Sequence, residues 1–157
     1  MAEPEAFMTA SDNLSPKQFT QLPMFMTPDE VRGLRSGDYD MRPMHEVPQV
    51  MRDRYDHERG RDEGRGISWS GTPLDHMAKQ VESDGGIHTP ARVVHLPSGY
   101  TALYDGHHRA VTAIEQNRLL PVTHYTDHTT ARDEIYAEND AKYWAGVDPA
   151  ERPEHLR

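Results

Sequence analysis

Between Thr72 and Tyr125 the chain sets out, almost without a gap, a helix, a hairpin, a glycine-centred corner, a second helix and a third strand. Thr72-Pro73 is a helix start, with a capping threonine and a proline in the first turn. Leu74, Met77, Ala78 and Val81 follow at i, i+3, i+4 and i+7, which predicts one apolar face. Asp84-Gly85-Gly86 ends that helix. Ala91 to Leu96 is a run of strand length, Pro97-Ser98-Gly99 is turn chemistry, and Tyr100 to Tyr104 is the returning strand. Asp105-Gly106-His107-His108-Arg109 then opens a helix with Ala110, Ala113 and Ile114 facing inward, and Leu120 to Tyr125 reads as a further strand. Such an order predicts an α/β (α+β) domain: a small mixed sheet with flanking helices.

The flanks are less regular. Residues 1–43 read as an N-terminal arm, broken by Pro4, Pro16, Pro23 and Pro28, with one apolar knot from Leu22 to Met26. Thr27-Pro28-Asp29-Glu30 predicts a short helix within it, carrying Val31 and Leu34 on one face. The main domain is expected over 44–145 and a tail over 146–157, marked by Pro149 and Pro153. Met44 to Pro48 reads as a short edge strand limited by its proline. Residues 51–66 hold five arginines and five acids with three glycines, a pattern expected of a charged loop or a fraying helix end. A third helix is expected from Ala131 to Trp144, with Ile135, Tyr136, Tyr143 and Trp144 on overlapping faces.

Composition narrows the function. Among 157 residues, 26 acids against 17 basic side chains give a net charge of -9, which argues against a surface built to grip nucleic acid. The absence of cysteine removes disulfides, thiolate zinc sites and thiol nucleophiles together. No stretch approaches the ~18 apolar residues of a membrane span and no signal pattern opens the chain, so a cytoplasmic location is expected. Walker A, Rossmann-glycine and Ser-His-Asp patterns are absent from the sequence, and its histidine spacings do not favour a zinc site.

The chemistry concentrates at Asp105 to Arg109. A strand that turns through Asp-Gly straight into a helix aims backbone N–H groups at the positive end of the helix dipole. Gly106 permits an anion to approach closely, and Arg109, one turn in, offers a bidentate fork to phosphate oxygens. His107 and His108 add further donors. Asp105 repels a phosphate unless it orients Arg109, caps the helix or holds a metal ion.

Two pieces of this region carry a resemblance. Leu74 to Val94 resembles the N-terminal pattern of the ParB family, an amphipathic helix followed by G-I-x-x-P and a valine-rich strand, with Gly86-Ile87-His88-Thr89-Pro90 filling the motif. Asp105 to Ala110 resembles the G-x-x-R-x-x-A box of the ParB/sulfiredoxin superfamily through Gly106 and Arg109, with Thr112 at the place of the small residue. Glu138-Asn139-Asp140-Ala141-Lys142 is similar to the E-N-x-x-R segment of ParB proteins, Lys142 replacing the arginine. The match spans roughly residues 72 to 126, under half of the chain.

The resemblance implies a ParB/sulfiredoxin-like fold and a nucleotide, CTP or ATP/ADP, held with Mg2+ at the DGHHR turn. Gly86, Thr89, Gly106, His107, His108, Arg109, Glu138, Asn139 and Lys142 become the expected nucleotide contacts, and Asp105 the expected metal ligand. Sulfiredoxin activity is excluded, because His107 occupies the place of the catalytic cysteine and imidazole cannot form the sulfur–sulfur intermediate. The sequence ends at Arg157 without the helix-turn-helix that follows this box in ParB clamps, so autonomous DNA binding is not expected. A regulatory or DNA-linked role in a bacterium, phage or plasmid is the expectation. NTP hydrolysis or phosphotransfer is the enzymatic extension, because the intact D-G-H-H-R is similar to that of free serine kinases. That reading nominates Glu46 as general base, with Asp105 and His108 as its catalytic companions. A non-enzymatic module binding a protein through the arm, and a homodimer, are the remaining expectations.

Overall fold

The computed structural model describes residues 22–156; the part of the arm before Leu22 lies outside them. Among the described residues, five α-helices surround one five-stranded mixed sheet. The strands are β1 (Phe25–Met26), β2 (Arg35–Ser36), β3 (Ala91–His95), β4 (Thr101–Asp105) and β5 (Leu120–Tyr125), and the helices are α1 (Pro28–Arg32), α2 (Val47–Glu63), α3 (Pro73–Asp84), α4 (His107–Gln116) and α5 (His128–Ala145). Strand order across the sheet is β1-β5-β3-β4-β2. The β3–β4 and β1–β5 pairs are antiparallel, and β3–β5 and β2–β4 are parallel.

Local chemistry accounts for most of these elements. Thr72 and Asp75 form a reciprocal capping box at the start of α3, and Gly85 closes it in the left-handed conformation at φ 74°. Thr27 and Glu30 make the same box for α1. Alternation along the strands then sorts side chains to two faces. Ala91, Val93 and Leu103 belong to the larger core, with Val31 of α1, Met51 and Tyr55 of α2, Leu74 and Val81 of α3, and Val111 of α4. Val94 and Ala102 belong to a smaller one, with Met41, Leu96 and Ala131 of α5.

Two expectations are corrected here. Residues 51–66 are not a charged loop: through Glu63 they continue α2, which is a regular helix of 17 residues. Its buried side chains, Val47, Met51 and Tyr55, recur every fourth residue and dock the helix on the core, while the charges pair along its solvent face. Met44 to Pro48 is not an edge strand either. Glu46 is the residue before α2, and Pro48 lies in the first turn, where its missing N–H costs nothing. The segment read as an arm also enters the sheet: Phe25 and Met26 pair with Pro121 and Leu120, and Arg35 and Ser36 with Ala102 and Leu103. Within the apolar knot Met26 is buried, whereas Met24 and Phe25 are exposed.

The helix α5 is fastened differently from the rest. Its one fully buried side chain is Ala131. The remaining hold is polar and centres on Arg92 of β3, which donates to Asp105 Oδ2 (2.7 Å), to both carboxylate oxygens of Glu138 and to Tyr125 Oη (3.2 Å). Tyr125 donates in turn to Glu134. Among the described residues no helix is long and apolar enough to cross a membrane.

Candidate functional site

The corner between β4 and α4 is built for close packing. Gly106 has φ 95°, and a Cβ placed on it would lie 2.8 Å from Ala91 Cβ and 2.9 Å from Arg109 Nη2. Both the conformation and the space therefore require glycine. Gly106 itself is the N-cap of α4 and supplies no side-chain acceptor, so Asp105 does not cap the helix. Its carboxylate instead binds two guanidiniums through Oδ2, Arg92 at 2.7 Å and Arg109 at 3.3 Å. Arg109 also reaches Pro90 O at 3.4 Å, and its Nε is buried with no partner.

His107 is 5% exposed and has a polar neighbour at each ring nitrogen. Asp38 Oδ2 faces Nδ1 at 3.2 Å, and its negative charge favours the tautomer that carries the proton on Nδ1. Nε2 then accepts from the buried Ser36 hydroxyl at 2.7 Å, and Ser36 Oγ accepts the Tyr39 N–H at 3.0 Å. Burial lowers the His107 pKa against the opposing pull of Asp38. His108 lies 2.5 Å from the Tyr55 hydroxyl of α2, and burial together with Arg54 and Arg109 lowers its pKa as well. Both imidazoles are therefore held toward the neutral form.

The opposite wall comes from the turn after β2. Asp40 and Met41 adopt left-handed backbone conformations in succession, at φ 55° and 60°. The turn is pinned by the Met41 N–H on Ser36 O (2.8 Å) and by the buried Met41 side chain. It presents Asp38 and Tyr39, and Arg54 of α2 donates to Tyr39 Oη at 2.9 Å. Between the two walls lies a cavity of about 430 Å³, into which the first turn of α4 opens.

Of the sequence-predicted residues, Asp105, Gly106, His107, His108, Arg109 and Asn139 line this cavity. Thr89, Glu138 and Lys142 line an adjoining one of about 240 Å³ that shares Asp105, Arg109 and Asn139. Gly86 borders a third space with Thr89 and Arg109. Glu46 joins none of them; it is exposed at the start of α2, 3.6 Å from Arg42. The acids lining the main cavity are Asp38 and Asp105. Among the described residues no group of three or more His, Cys, Asp and Glu side chains could hold a metal ion.

Sequence reasoning missed Ser36, Asp38, Tyr39, Tyr55 and Arg92. Arg92 alone carried a local signal, a charge inside the apolar run Ala91 to Leu96. His95 and His124 meet each other, Nε2 to Nδ1 at 2.8 Å. No protein-family model, curated protein or solved structure is significantly similar to this chain.

Proposed function

We propose that the cavity at Gly106–Arg109 binds the phosphates of a nucleotide, as the resemblance to the ParB/sulfiredoxin superfamily implies. The observation that carries this reading is the placement of Arg109 on the cavity wall beside the first turn of α4, which has no side-chain cap. A phosphate at that turn receives N–H groups at the positive end of the dipole and a planar guanidinium that Asp105 holds in place. Arg54 adds a second cation across the cavity. Mg2+ arriving with the nucleotide finds Asp105 and Asp38 as its carboxylate candidates, consistent with a cation that takes most of its ligands from phosphate and water. A regulatory or DNA-linked output on a ParB-like scaffold accompanies this reading.

Calorimetric titration of CTP, ATP and ADP, each with Mg2+, tests it. Binding of at least one of them, weakened tenfold or more by Arg109→Ala, is the expected result. Absence of binding to all three, or binding indifferent to Arg109→Ala, overturns it.

A phosphotransfer reading of the same cavity is favoured by Asp38, which faces His107 at 3.2 Å and lines the space where Glu46 does not. In that reading Asp38 replaces Glu46 as the base taking a proton from a small hydroxyl compound. Product from serine plus ATP or ADP, lost in Asp38→Asn and kept in Glu46→Ala, is its expected signature.

A further inference from the structure

We infer that the slot between Tyr104 and Tyr136 receives the planar base of the nucleotide whose phosphates sit at Gly106–Arg109, an inference that rests on the phosphate reading above. The slot measures about 230 Å³ and is bordered by Gly37, Asp38, Tyr104, Arg132, Ile135 and Tyr136. Asp38, Tyr104 and Ile135 also border the main cavity, so the two spaces meet along one wall. Tyr104 directly precedes Asp105 and Gly106, which places the slot next to the corner that faces the phosphates.

Its walls suit a ring. Two phenol rings and the Arg132 guanidinium supply flat surfaces, and such surfaces stack on the π-face of any base. Tyr136 is 63% exposed, so much of its side chain is left for a ligand to cover. Among the described residues the acid paired with Arg132 is the adjacent Asp133, at 3.7 Å. At about 230 Å³ the slot is smaller than the roughly 300–1,000 Å³ of a complete small-molecule pocket, which suits one ring system of a ligand that continues into the larger cavity. The adjoining 240 Å³ cavity is the poorer candidate for a base, since Arg92, Glu138 and Lys142 line it with charge.

The test compares nucleotides with tripolyphosphate, which carries the phosphates and lacks the base. ATP, CTP and GTP are each titrated with Mg2+ into the full chain, alongside tripolyphosphate, for the wild type, Tyr136→Ala, Tyr136→Trp and Arg109→Ala. Tyr136 is exposed, so its variants leave the core intact. Tyr136→Ala is expected to weaken at least one nucleotide by about five- to a hundredfold, the range of a lost base–aromatic stack, and to leave tripolyphosphate unchanged. Tyr136→Trp is expected to restore the nucleotide, and Arg109→Ala to weaken both kinds of ligand. Nucleotide affinities unmoved by Tyr136→Ala while Arg109→Ala weakens every ligand would overturn the base slot and leave the phosphate site standing. Failure of all four ligands to bind would overturn both.

Discussion

Arg92 Nη1 donates to Asp105 Oδ2 at 2.7 Å, and the same oxygen receives Arg109 Nη2 at 3.3 Å. One carboxylate oxygen thus joins the anchor of α5 to the arginine of the candidate phosphate site. Arg92 is 13% exposed at its side chain, while Asp105, Glu134 and Glu138 are 31%, 49% and 51% exposed, so solvent screens each pair. Arg92→Met is expected to lower stability by about 1–2 kcal/mol, read by urea unfolding, and to speed amide exchange along α5. Arg92→Lys should recover little of this, because an ammonium cannot serve Glu138 and Asp105 as a planar fork does.

Gly106→Ala forces a side chain into a φ of 95° and into contact with Ala91 Cβ at 2.8 Å. A loss of about 2–4 kcal/mol is expected from strain and overlap together. Thermal unfolding measures it. Where the variant stays folded, the displaced Arg109 should cost it phosphate affinity as well.

Ser36→Ala removes the hydroxyl that donates to neutral His107 Nε2 and accepts the Tyr39 N–H. Stability should fall by about 1–3 kcal/mol, since the buried His107 ring nitrogen and the half-buried Tyr39 N–H lose their partner. The His107 pKa should rise toward its ordinary value, because the bond being lost favours the neutral ring. An NMR titration of the imidazole reads the direction. An unmoved or lowered pKa would contradict the proton assignment.

A second histidine chain sets a pH dependence. Pro23 O can only accept, so His124 Nε2 donates to it at 2.5 Å; His124 Nδ1 then accepts from His95 Nε2, and His95 Nδ1 from Thr101 Oγ1 at 3.2 Å. Burial, with His124 as the smaller cause, brings the His95 pKa down from 6.5 to about 4. The folded protein therefore binds fewer protons than the unfolded chain between these values. Its stability from this group is complete above pH 6.5 and is lost as pH falls toward 4. Unfolding free energies measured across that window should decline with acidity, and His95→Gln should flatten the decline.

The region from α3 to β5 was legible because its signals are local. The Thr72-Pro73 start, the Asp84-Gly85-Gly86 stop and the strand-length run from Ala91 to Leu96 each fit within a few residues. The helix α2 was not, because Val47, Met51 and Tyr55 are three apolar positions spread through a field of charge, and only the core they meet reveals them as a stripe. The same holds for the site. Its near wall follows from Asp105 to Arg109, but its far wall is brought in across the chain, Ser36 to His107 over 71 residues and Tyr55 to His108 over 53. Glu46, the acid that the sequence offers in that region, is exposed ahead of α2, and the proline in the first turn of that helix reads locally as the end of a strand.

The two successive left-handed residues, Asp40 and Met41, bear on how fast this cavity can fill. A turn locked by a buried methionine and a backbone bond has already surrendered its freedom during folding. Asp38 and Tyr39 then wait in place, and an incoming ligand has no loop to order on that side. Association should accordingly proceed in a single concentration-dependent phase in stopped-flow mixing, with no slower rearrangement behind it.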